Sequence, residues 1–128
     1  MKNLVSLGLK VVDDALLILD QTRLPQEECW LGCRNPQEMI AAIKGLKVRG
    51  APLIGVAAAI SLALYAAEGV SRAELLAAAK ALRAARPTAV NLMAAMDRMI
   101  GEAGGQDLNA GRIIELAEKI FEEDVLLC

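Results

Sequence analysis

The chain has 128 residues, with 16 acidic and 14 basic side chains, a net charge of −2 and no histidine. That length holds one modest core. The charge balance excludes a basic coat for a phosphate backbone, and the lack of His excludes an imidazole base, a Ser-His triad and most zinc sites. Hydrophobic residues make up 55% and aromatics only 2%. The apolar content is thus mostly Ala and Leu, which favours closely packed helices over a sandwich or barrel and leaves few rings for stacking bases.

Three cysteines are too few and too odd for a disulfide scaffold, so a reducing, cytoplasmic setting is expected. Cys29 and Cys33 lack the companions of a metal site and read as buried or half-buried thiols. The N-terminal segment has no long apolar stretch and no small-residue cleavage site, and does not read as a signal peptide. The uncharged run from Gly50 to Ala67 reaches the lower edge of membrane-span length, roughly 17–25 residues. It contains Pro52, Gly55 and Ser61 and lacks flanking basic clusters, so it is expected to be a helix buried in a soluble core, with no membrane partner.

In chain order, the first third predicts strands. Leu7 to Val12 and Ala15 to Asp20 flank Asp13-Asp14, a turn-forming pair that suggests a hairpin. A third apolar segment surrounds Cys29-Trp30-Leu31. From Asn35 the signals turn helical. Asn35 suits an N-cap, Pro36 the first helical position and Glu38 the third. Met39, Ile40, Ile43 and Leu46 follow at helical spacing, with Lys44 and Lys47 on the solvated side. After a break at Val48 to Pro52, Pro52 opens a second helix to about Ala67, apolar almost all round, and Gly69 ends it. Ser71 and Glu74 form a capping box for a third helix with Leu75, Leu76, Ala79 and Leu82 as its stripe. Arg86-Pro87 stops that helix. A fourth starts at Pro87-Thr88 with Val90, Leu92, Met93, Met96 and Met99, the methionines reading as core. A polar connection spans Gly101 to Gly111, and a last amphipathic helix carries Ile113, Ile114, Leu116, Ile120 and Phe121. The expected fold class is α+β, mainly α: a small antiparallel β segment over residues 1–34, then about five helices over residues 35–128.

Two places put an Arg just before a helix with Pro in its first turn: Arg49-Gly50-Ala51-Pro52 and Arg86-Pro87-Thr88. A helix start offers unpaired N–H groups and partial positive charge, and a guanidinium fork suits phosphate oxygens. Gly50 allows close backbone approach. A small phosphorylated ligand held by both starts is one reading; on the bare residues, ordinary helix breaks with solvated arginines are the commoner explanation at either place. Thr88 and Asn91 suit ligand donors or, equally, a cap and an interhelix bond. Glu122, Glu123 and Asp124 read as a solvated acidic face rather than general bases. The ending Val125-Leu126-Leu127-Cys128 is apolar and uncapped, as expected of a chain cut within an element.

Leu19-Asp20-Gln21-Thr22-Arg23-Leu24-Pro25, Val48-Arg49-Gly50-Ala51-Pro52-Leu53-Ile54-Gly55-Val56-Ala57-Ala58, Arg86-Pro87-Thr88-Ala89-Val90-Asn91-Leu92 and Glu122-Glu123-Asp124 together resemble the S-methyl-5-thioribose-1-phosphate isomerase family. The resemblance covers nearly the whole chain, matches the N-terminal part of that family, and extends to regulatory subunits of the translation-initiation guanine-nucleotide exchange factor and to ribose-1,5-bisphosphate isomerases. It implies an aldose-ketose isomerase of methionine salvage that converts 5-methylthioribose 1-phosphate to 5-methylthioribulose 1-phosphate without metal or other cofactor. It implies substrate binding by Arg49, Gly50, Ala51 and Arg86. It places the catalytic Cys and Asp in a Rossmann-like C-terminal domain beyond this chain, so neither Cys128 nor Asp124 is catalytic and no catalytic residue is expected here. That missing domain is the expected partner, with a possible homodimer and no nucleic acid. Met93-Ala94 stands where the family often carries an aromatic pair. The other functions implied by the resemblance are a helical interaction module and a ribose-1,5-bisphosphate isomerase; an apolar pocket near Met93 suits a methylthio group, a basic one a second phosphate.

Overall fold

The computed structural model describes residues 4–5, 9–19, 30–33, 35–44, 51–85, 90–103 and 110–123. Four strands form one antiparallel sheet in sequential order: β1 (Leu4–Val5), β2 (Leu9–Val12), β3 (Ala15–Leu19) and β4 (Trp30–Cys33). Five helices follow: α1 (Pro36–Lys44), α2 (Ala51–Ala67), α3 (Arg72–Arg83), α4 (Val90–Ala103) and α5 (Ala110–Phe121). The α+β, mainly helical class expected from the sequence is the observed one.

The β2–β3 connection is a two-residue turn, since Val12 pairs with Ala15. Asp13 and Asp14 take φ of 52° and 62°. Two successive residues in this region make the turn whose twist matches a hairpin, and Asp tolerates it better than most side chains. The register stacks Leu4, Val11, Leu16 and Cys33 across the four strands on one face, with Leu9 opposite Ile18 beside them. All six are buried and join the main core. On the other face, Lys10 Nζ lies 4.3 Å from the centroid of the Trp30 ring. Trp30 pairs with Leu19, which is buried even though it falls on this outer face. That explains why Ala15 to Leu19 fails to alternate. β1 is a strand the sequence pattern does not announce, because two residues carry no period; Leu7, Gly8 and Asp20 lie outside the described residues.

Helix ends follow the expected chemistry. Asn35 Oδ1 accepts from the Glu38 backbone N–H at 2.9 Å. Ser71 Oγ accepts from the Glu74 N–H at 3.1 Å and donates to the Glu74 carboxylate at 3.1 Å. Gly69, at φ +88°, turns the chain out of α2, a conformation that costs glycine little.

α2 begins at Ala51, one residue before the predicted Pro52, and from Ile54 to Ala63 every residue is buried. α4 and α5 pack on it, α3 packs on α4, and all belong to one core cluster. The fourth-helix stripe needs correction. Leu92, Ala95, Met96 and Met99 are buried, but Val90 is 73% exposed and Met93 only half-buried. Val90 and Met93 share the opposite face with Ala94 and Asp97, three to four residues apart, so the predicted list mixed two faces. The polar connection is also shorter than predicted. α4 absorbs residues 101–103 and α5 takes Ala110 and Gly111. No described helix is long and apolar enough to cross a membrane.

Candidate functional site

α2 and α4, the helices that follow the two Arg-bearing motifs, pack closely at Gly55 and Asn91. Gly55, in the first turns of α2, faces the first turn of α4 so closely that a Cβ on it would lie 2.8 Å from the Asn91 carbonyl oxygen and 3.4 Å from the Ala95 methyl. The two helices therefore come into backbone contact at Gly55 and Asn91, five residues into α2 and at the second described residue of α4. Ala51 is the first residue of α2. Arg49, Gly50 and Arg86 lie outside the described residues, as do Pro87 and Thr88. Arg49 is two residues before α2 and Arg86 four before Val90.

The surroundings of this crossing are polar on one side. A cleft of about 180 Å³ is lined by Asn91, Ala94, Ala95, Arg98 and Ile120. Asn91 is exposed, and its carbonyl oxygen lies beside Gly55 of α2. Arg98 grips the Glu123 carboxylate with both terminal nitrogens, at 2.8 and 3.4 Å. The hydrogen bond from Arg98, and then its charge and that of Lys119, hold the Glu123 carboxyl below its ordinary range. In its described part the acidic end of α5 lies at the surface: Glu122 is exposed and Glu123 forms a surface ion pair with Arg98, while Asp124 lies outside the described residues. At Met93-Ala94, the half-buried thioether and an exposed methyl replace any ring, and Ala94 lines the cleft.

A larger cavity, about 600 Å³, sits at the other end of α2, between Leu64, Ala67 and Glu68 and the strands at Leu16, Leu17, Gly32 and Cys33. An α-helix of 17 residues separates the two ends by about 25 Å. The Cys33 thiol there is buried and free. Burial, reinforced by the charge of Glu38, pushes its pKa up to about 11, so it is no nucleophile at neutral pH. Among the described residues no three His, Cys, Asp or Glu side chains cluster as a metal would require. Sequence reasoning missed Gly55. The available signal was a glycine, a poor helix former, inside a helix whose small positions are otherwise alanine.

No family model matches the chain. Curated relatives do, over its whole length. It is 48% identical over 129 aligned residues to the methylthioribose-1-phosphate isomerase of Serratia proteamaculans and 45% identical over 128 to that of Enterobacter sp.. In both cases it spans 37% of the relative's length. Among solved structures, the 5-methylthioribose 1-phosphate isomerase of Pyrococcus horikoshii OT3 superposes with a TM-score of 0.80 at 32% identity, covering 93% of this chain and 36% of that one. Subunit delta of the translation initiation factor eIF-2B from A. fulgidus superposes at 0.73 with 38% identity, covering 91% and 37%.

Proposed function

The chain is homologous along its whole length to the N-terminal part of the methylthioribose-1-phosphate isomerases, and from that premise we propose that it is the substrate-binding part of such an isomerase. The substrate is 5-methylthioribose 1-phosphate and the product its ketose isomer, in methionine salvage. Arg49, Gly50, Ala51 and Arg86 hold the phosphate. The observation that supports this reading is the close packing of α2 on α4 at Gly55 and Asn91, each helix following one of the two arginines in the sequence. One anion shared by two guanidinium forks and two helix ends is better held than by either alone.

The anomeric oxygen carries the phosphate, so the sugar cannot open simply to an aldehyde. Charge must develop in a site shielded from water, and the arginines offset it there. This chain supplies binding rather than proton or hydride transfer. It has no His, and Cys33 stays protonated far from the crossing. The purified 128-residue chain is therefore expected to bind the sugar phosphate and to show no turnover. Calorimetry with methylthioribose 1-phosphate tests the assignment, with Arg49→Ala and Arg86→Ala as controls. Each loss is expected to weaken binding about tenfold or more, as for removal of a charge-assisted hydrogen bond. Equal binding by all three proteins would refute it.

A second reading, a helical interaction module, draws support from the likeness to the eIF-2B delta subunit. It predicts a chain that associates with protein partners and is indifferent to the sugar phosphate. The same calorimetry separates the two. The cytoplasm and a reducing environment are part of the proposed setting, in keeping with the free thiol of Cys33.

A further inference from the structure

We propose that the cavity of about 600 Å³ at the C-terminal end of α2 binds a small organic ammonium ion, an amine with a compact apolar body. The inference does not rest on the phosphate assignment. Leu16 and Cys33, both buried, form the floor of the cavity, and the half-buried Leu17 and Leu64 form its walls. Its volume is that of a small-molecule pocket, about 300–1,000 Å³. A floor and walls of this kind take a hydrocarbon body out of water.

The rim fixes the sign of the ligand. Asp14 and Glu68 line the cavity, both acidic and both exposed, and among the described residues no basic side chain joins them. They come from separate elements: Asp14 from the β2–β3 turn, Glu68 from the segment just past α2. The helix end adds to their charge. α2 is 17 residues long and has no basic residue in its last turn, so the partial negative charge at its C-terminus has no cation of its own. The chain tightens there: the Glu68 N–H donates to the Tyr65 carbonyl and the Gly69 N–H to the Ala66 carbonyl, each at 3.1 Å. Neither goes to the Leu64 or Ala67 carbonyl, and both of those residues line the cavity. The Cys33 thiol, protonated at neutral pH, adds no charge. An ammonium group carries three donors and no acceptor, so it serves carboxylate and carbonyl oxygens together. An anion is repelled by the rim, and a neutral alcohol gains the floor without the rim's charge.

The test is a nuclear magnetic resonance titration of the 128-residue chain at low salt with 2-phenylethylammonium chloride and, as its neutral counterpart, 2-phenylethanol. The amide signals of Leu17, Gly32, Cys33 and Ala67 are expected to shift saturably with the ammonium salt, with a Kd of about 1 mM or below. The alcohol is expected to bind at least about fivefold more weakly. Glu68→Gln and Asp14→Asn keep the side-chain size, and Asn accepts the left-handed backbone at position 14. Each is expected to weaken ammonium binding about threefold to fivefold and to leave the alcohol unchanged. Glu115→Gln, exposed on α5, is the control and is expected to bind as wild type does. No saturable shift at the four amides up to about 20 mM ammonium overturns the site. Equal binding of ammonium and alcohol by wild type overturns the recognition of charge, as does ammonium binding that neither carboxamide variant weakens. The wild-type comparison needs no variant to fold.

Discussion

α2 and the four-stranded sheet both bury apolar residues, by opposite means. From Val56 to Ile60 each residue of α2 is at 0% exposure, and three of those five are alanine. α2 is located by how near its neighbours' backbones come, which means by the absence of volume. The sheet buries one face through Leu9, Val11, Leu16 and Ile18, and on the other, apart from Leu19, it leaves Lys10 over the Trp30 ring. It is located by a turn and by cross-strand pairs. A helix held by closeness tolerates no added volume. A sheet held by its turn responds to turn chemistry.

The largest expected effect is on volume. Ala59→Leu, at 0% exposure in α2, adds three heavy atoms where helices meet, and is expected to destabilise by about 3 kcal/mol, a melting shift of about 10 °C. Val12→Leu in the sheet, at 39% exposure, is expected to stay within about 0.5 kcal/mol. Similar thermal melts for the two would erase the contrast. Next comes the thiol at the sheet's end. Cys33 has its pKa raised from 9.0 to about 11, so its contribution is complete below pH 9 and is lost as pH rises through 11. About 2–3 kcal/mol of stability is expected to disappear over that window, and Cys33→Ala is expected to remove the slope, read by urea titrations at several pH values.

Smaller effects separate polarity from volume. Ser61 Oγ is buried in α2 with no hydrogen-bond partner among the described residues. Ser61→Ala removes that desolvated hydroxyl without adding bulk and is expected to stabilise by about 1 kcal/mol, measured by chemical denaturation. Destabilisation would show that the hydroxyl is satisfied. Smallest is the turn: Asp14 sits at φ 62°, so Asp14→Gly is expected to gain about 0.5 kcal/mol by relieving the left-handed conformation. A loss would mean that the Asp14 side chain matters more than its backbone.

The contrast also separates what was legible in the residues from what was not. Local chemistry announces itself. Asp13-Asp14, Asn35 with Glu38, and Ser71 with Glu74 each act on their own neighbours, and each does in the fold what its spacing implied. Properties that depend on a distant partner do not announce themselves. Val90 looks like part of an apolar stripe until α2 fixes which face of α4 is covered. Leu19 breaks the strand period because Trp30, eleven residues away, pairs with it. Gly55 carries no side chain to read, and the close approach it allows shows only once Asn91 is beside it. At the candidate site the motifs point to the arginines, which lie outside the described residues, while the packing of the helices that follow them, α2 on α4, shows only in the fold.

The most direct test of that crossing as one anion site is a double-mutant cycle. Methylthioribose 1-phosphate binding is measured by calorimetry for wild type, Arg49→Ala, Arg86→Ala and the double variant. A shared phosphate predicts that each single change weakens binding about tenfold or more, and that the double variant departs from the sum of the two. Independent, additive losses would place the arginines at separate sites, and no loss from either would contradict the account outright.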